Sequence, residues 1–142
     1  MYGPKLNQCG RRSRGQAATE LALGVSGLLM LMFVIADFGR AIYAYNFVSY
    51  SAREATRYAA VHGSGSPSPV SSANQDPLKN VVKNEANGLD STALTITPTW
   101  SPDNKPGSVV TVQVRYNFKP VGLFLPSTTV PLSASSQMVI MH

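Results

Sequence analysis

One cysteine, one tryptophan and two histidines are all that this 142-residue chain holds of those residue types. With Cys9 alone no intramolecular disulfide can form, and a thiolate metal centre has no second ligand. His62 and His142 are isolated from each other and make no metal site. No serine has a histidine and an acid at a recognised spacing, and no glycine-rich loop is built to cradle phosphate. No catalytic residue, metal, cofactor or small-molecule substrate is therefore expected. Charged residues are scarce as well, at 13% of the chain, and no acid precedes Glu20. The net charge of +5 comes from the N-terminus. Lys5, Arg11, Arg12 and Arg14 stand there unopposed, and the other eight basic residues face seven acids. No basic patch interleaved with aromatics occurs elsewhere, which argues against nucleic acid as a partner.

The sequence does contain a long apolar run. Residues 1–15 form a polar basic segment with no expected fixed structure. Residues 16–36 carry one charge, Glu20. As a helix they span roughly 31 Å at about 1.5 Å per residue, the thickness of a bilayer's hydrocarbon core. Leu28-Leu29-Met30-Leu31-Met32-Phe33-Val34-Ile35 is apolar on every face, which suits lipid better than the core of so short a chain. The basic residues before the span predict a cytoplasmic N-terminus and a C-terminal domain outside the cytoplasm. Asp37 and Arg40, one turn apart, predict an interfacial ion pair. Tyr43, Tyr45, Phe47 and Tyr50 predict an aromatic belt beyond it. Ala41, Ala44, Tyr45, Val48, Ala52, Ala55 and Ala59 recur at three- and four-residue steps, so one long helix is expected over 16–62, of which 16–36 spans the membrane. Arg53, Glu54 and Arg57 fall off that stripe, as a solvated face would. Gly63, Gly65 and Pro67 end the helix.

A Ser/Gly/Pro-rich linker is expected over 63–77, and an extracytoplasmic α+β domain over 78–142. Asp76-Pro77 predicts the start of a short helix with Leu78, Val81, Val82 and Ala86 on one face, closed by Gly88. Three strands follow. Leu94, Ile96 and Trp100 alternate with threonines. Val110, Val112, Val114, Tyr116 and Phe118 alternate with Thr111, Gln113, Arg115, Asn117 and Lys119. After a loop through Leu123-Phe124-Leu125-Pro126, the residues Leu132, Ala134, Met138 and Ile140 alternate with serines and Gln137. The fold class is α+β: a long N-terminal helix, a short helix and a three-stranded antiparallel sheet. The apolar face of that sheet needs a cover, from the short helix or from the upper half of the long one.

Arg14-Gly15-Gln16-Ala17-Ala18-Thr19-Glu20 lies where the basic tail meets the apolar span. A secretory signal cut after Val34-Ile35-Ala36 is one reading, opposed by the length of the apolar run and by the helical pattern continuing past Asp37. An uncleaved anchor is a second, and a prepilin a third. The junction resembles that of type IV pilin-like proteins, and within them the TadE-like family of the tight-adherence (Tad) pilus system. Ala17-Ala18-Thr19-Glu20-Leu21-Ala22-Leu23 and Ile35-Ala36-Asp37-Phe38-Gly39-Arg40 carry that resemblance. It implies a basic leader cut by a prepilin peptidase between Gly15 and Gln16, with Glu20 fifth in the mature chain. It also implies other pilins, pseudopilins and the pilus assembly machinery as partners, and the bacterial inner membrane as location. Leu21 departs from the tyrosine usual in major pilins of that system. Cleavage after Gly15 leaves 127 of 142 residues, long for its major subunit. Both features point to a minor pilin or pseudopilin acting in pilus assembly and adhesion.

A carboxylate deep in lipid costs about 2.5 kcal/mol or more. At Glu20 the helix N-terminus offsets part of that cost, and a free α-amine on Gln16 would supply a partner that sets the register of packed helices. Gly24, Ser26 and Gly27 form a small-residue patch suited to close helix approach. The alternative function is an unprocessed, single-pass, envelope-anchored binding domain.

Overall fold

The computed structural model describes residues 12–121 and 128–141, the side chains of 12–14 excepted. Cys9, the loop through Leu123-Phe124-Leu125-Pro126 and His142 lie outside the described residues. In chain order the elements are α1 (Arg12–Val61), α2 (Asp76–Asn84), one turn of 3-10 helix (Ser91–Ala93), β1 (Leu94–Ser101), β2 (Val109–Phe118) and β3 (Val130–Val139). The strands form one antiparallel sheet in the order β1-β2-β3. This is the α+β arrangement that the patterning predicts.

α1 has 50 residues, a length of roughly 75 Å. It starts at Arg12, inside the basic segment expected to lack structure. Nothing at 12–14 stops a helix nucleated by the alanine-rich turns that follow. Gly15 costs only about 1 kcal/mol there. From Gly15 to Ala36 every residue is exposed. The upper half, from Ala41, packs on the sheet. Twenty-one helical residues rise roughly 31 Å, and the ten residues of β2 extend about 33 Å. The sheet therefore matches one half of the helix and leaves the other bare.

β2 supplies the centre of the core. Val110, Val112, Val114, Tyr116 and Phe118 are buried, and Gln113, Arg115 and Asn117 point outward. Leu94 pairs with Tyr116 and Ile96 with Val114 across β1. Val114 pairs with Ala134 and Val110 with Met138 across β3. Pro98 interrupts no ladder bond to a further strand, because β1 is an edge. The upper half of α1 is the main cover of the sheet, while α2 packs against α1 and buries Leu78 and Val82.

The buried face of α1 differs from the predicted stripe. Ala44, Phe47, Val48, Ser51, Ala52, Ala55, Thr56, Ala59 and Ala60 are buried, and Tyr45 is 52% exposed. Phe47 is a core residue and no part of an aromatic belt. A helix lying on a flat sheet uses two adjacent columns of side chains, wider than a single stripe. Small residues on those columns let the helix axis approach. The Thr56 hydroxyl donates to Ala52 O (2.6 Å) and lies 3.2 Å from Ser136 O on β3.

The residues after α1 do not hang free. Val70 is fully buried, its N–H donates to His62 O (2.8 Å), and Ser64 N–H donates to Asn104 O (2.9 Å). The N-cap of α2 is Gln75, one residue before Asp76, and Pro77 sits in the first turn. Ile140 lies just beyond β3 and is buried. Its N–H donates to Ser108 O, and Met141 N–H donates to Ala60 O (3.0 Å), which ties the end of the chain to the end of α1. Gly107 opens this closure with a φ of +91°, a conformation that side chains avoid.

Candidate functional site

The site is the exposed half of α1 and the turn above it. Leu21, Leu23, Phe33 and Ile35 are each more than 60% exposed. An all-round apolar surface of this size has no cover among the described residues, and the helix is a candidate membrane span consistent with membrane anchoring.

Gly15 and Gln16 lie within the first turns of α1 and are exposed. A Cβ placed on Gly15 meets nothing within 4 Å, so packing within the chain does not demand glycine there. The same holds at Gly24, Gly27 and Gly39. Glu20 stands one turn beyond Gln16, exposed, and no hydrogen bond or ion pair to it is found among the described residues. Two hydroxyls on the span are satisfied internally. Thr19 Oγ1 donates to Gln16 O (2.8 Å) and Ser26 Oγ to Ala22 O (2.7 Å). Such back-bonds keep hydroxyls paired where water is absent.

Asp37 and Arg40 form an ion pair of 3.0 Å. The pair does more than end the span. Asp37 Oδ1 also accepts a hydrogen bond from Val121 N–H (3.1 Å), just past β2. The Arg40 guanidinium stands 5.4 Å from the centroid of the Phe118 ring, the last residue of β2. One turn on, the Tyr43 hydroxyl donates to Asn87 O (2.8 Å), after α2. Together these contacts make a collar by which the helix grips the base of the domain. Apart from the ion pair itself, the sequence shows none of it, because the partners of Asp37 and Tyr43 are 84 and 44 residues away.

Farther up, Arg57 binds Glu54 through two hydrogen bonds of 2.6 and 3.1 Å. That pairing holds the Glu54 carboxyl below its ordinary range and raises the Arg57 guanidinium further. His62 stacks on Tyr58 with ring centroids 4.0 Å apart. Its Nδ1 lies 2.9 Å from Tyr58 O, so it is engaged at the end of the helix.

The family model described as TadE-like protein matches residues 15–57. The match opens on Gly15, takes in the bare helix and the helix residues of the collar, and closes on Arg57. The TadE-like resemblance read from the sequence is thus shown over this segment. That family is structural and pilin-like, associated with the Tad pilus, and is not a family of enzymes. No curated protein and no solved structure matches the chain.

Proposed function

We propose that this protein is a minor pilin or pseudopilin of a Tad-type type IV pilus system, acting in pilus assembly and adhesion. It is anchored in the bacterial inner membrane with its N-terminus in the cytoplasm. One observation carries the reading: Gly15 and Glu20, five residues apart, lie in the first turns of a helix whose first half has no cover among the described residues. A prepilin peptidase cuts between Gly15 and Gln16. The bond lies near the start of α1, where few backbone hydrogen bonds hold it and glycine weakens the helix. Little unwinding is needed to expose it.

The cut removes Lys5 and the leader arginines, which otherwise pin the helix at the cytoplasmic face. It creates an α-amine on Gln16 that pairs with Glu20 of the same or a neighbouring subunit. The patch of Gly24, Ser26 and Gly27, open in the single chain, lets partner helices approach. Mass spectrometry of the N-terminus from a host with an active prepilin peptidase tests this. The mature chain should begin at Gln16, and Gly15→Leu should keep the leader. Glu20→Ala should be cut normally but co-purify less with partner pilins. A mature protein starting at Met1 or Asp37 would sink the reading, and full partner recovery by Glu20→Ala would sink the register role.

A further inference from the structure

The end of the domain away from the collar carries a cleft of about 470 Å³. Trp100, Pro98 and Pro102 give it apolar walls, and Ser72, Asp103 and Asn104 give it polar ones. Trp100 pairs with Val110 and the collar holds Phe118, so the two ends lie roughly 25 Å apart along β2.

The walls are fixed before any ligand arrives. Asp103 Oδ1 accepts from Lys105 N–H (3.1 Å) and from the Ser108 hydroxyl (2.5 Å). The Asn104 amide donates to Val70 O (2.7 Å), joining the hairpin to the 71–74 turn. Two hydrogen bonds remain unmade. The Trp100 indole N–H and Asn104 Oδ1 are shielded from solvent, and no hydrogen bond to either is found among the described residues. Buried polar atoms are rarely left so.

Charge narrows the ligand class. Asp103 is the one acid lining the cleft, and Lys105 stands 3.5 Å from its Oδ2. The Ser108 hydroxyl, then the Lys105 N–H, hold the Asp103 carboxyl below its ordinary range, so it stays ionised at neutral pH. An anionic ligand would meet that carboxylate, and a cationic one would displace Lys105. A neutral ligand with hydroxyls on one side and C–H groups on the other meets neither obstacle. It places hydroxyls on Asp103 and its apolar face on the indole and prolines. We propose that this cleft binds a neutral saccharide of one or two rings. The size falls within the range of small-ligand sites.

The chain has one tryptophan, so its fluorescence reports on the cleft. The full-length protein in lipid nanodiscs is titrated with cellobiose, maltose and N,N′-diacetylchitobiose, and with glucuronate and a proline-rich peptide as comparators. A saturable change is expected with at least one neutral disaccharide. Ser72→Arg crowds the cleft from an exposed position and removes no side-chain hydrogen bond found here. It should weaken binding at least about tenfold with unchanged melting. Calorimetry on Trp100→Phe, which keeps an aromatic wall, should still detect the sugar. The proposal is overturned if no disaccharide saturates by fluorescence or calorimetry, if Ser72→Arg binds as tightly as the parent chain, or if only glucuronate or the peptide saturates. It stands on the cleft rather than on the pilus reading. Sugar binding by an uncut chain, or none by a cut one, tells the two failures apart.

Discussion

Two ion pairs on α1 share the same i, i+3 spacing, Asp37 with Arg40 and Glu54 with Arg57. The second is closer and bidentate, yet Arg57 is exposed and touches nothing beyond its own helix in that pair. Its loss should leave the melting temperature unchanged, because water and salt screen such pairs. Asp37 is different. Its side chain is only 17% exposed, and its carboxylate also holds the Val121 N–H. Asp37→Ala removes the acceptor of the Val121 N–H and the partner of Arg40 together, both of which water can then reach. The expected cost is about 1 kcal/mol, the net worth of an ordinary hydrogen bond, or a drop in melting temperature of roughly 4 °C for a domain of this size. Thermal unfolding of the full chain in nanodiscs, with Arg57→Ala alongside, measures both. Equal melting of Asp37→Ala and the parent would show that the collar contributes nothing to stability.

At the scale of elements, α1 is one helix with two kinds of surroundings. The lower half depends on solvent, since its apolar side chains are exposed among the described residues. The upper half belongs to the globular core, where Ala44, Val48, Ala52, Ala55 and Ala59 are buried to within 1%. A chain shortened to begin at Asp37 keeps that face and the collar, so it should be soluble and show strand signal by circular dichroism. A chain shortened to begin at His62 lacks the cover of β2 and β3, and should aggregate or stay unfolded. Folding of the shorter chain would mean that α2 suffices as cover. Much of this division was legible. Period two in Val110, Val112 and Val114 marks β2, and an unbroken apolar run marks the span. The buried columns of α1 were harder to read, because scoring apolar residues alone passes over Ser51 and Thr56 and admits Tyr45. Val70 sits in a Ser/Pro-rich stretch that composition reads as linker, although its burial depends on contacts with Asn104, far along the chain. At the candidate site, Gly15, Gln16 and Glu20 are visible as a local motif. The grip of Asp37 on Val121 has no local signal at all.

For the molecule as a whole, the open question is which side of the membrane each end occupies. Lys5, Arg11, Arg12 and Arg14 precede the span, and no acid offsets them. Retention of such residues on the cytoplasmic side predicts a domain on the opposite side. The collar adds a geometric consequence. Because Asp37 and Arg40 hold the base of the sheet, a lower helix placed in a bilayer as proposed would set the domain directly at the membrane surface, with β2 rising away from it. Cys9 makes the topology measurable, since it is the only thiol and precedes Gly15, in the proposed leader. In Gly15→Leu, which should keep the leader, a membrane-impermeant maleimide should leave Cys9 unlabelled in intact spheroplasts and label it after lysis. With Cys9→Ser and a new thiol at Gln113, exposed on the outer face of the sheet, labelling should occur without lysis. The proposed cut after Gly15 would discard Cys9 from the parent chain, so its mature protein should show no thiol under either condition. Labelling of Cys9 from outside, with Gln113→Cys protected, would invert the orientation. It would also remove the peptidase from reach of its bond, and the pilin reading would fall with it.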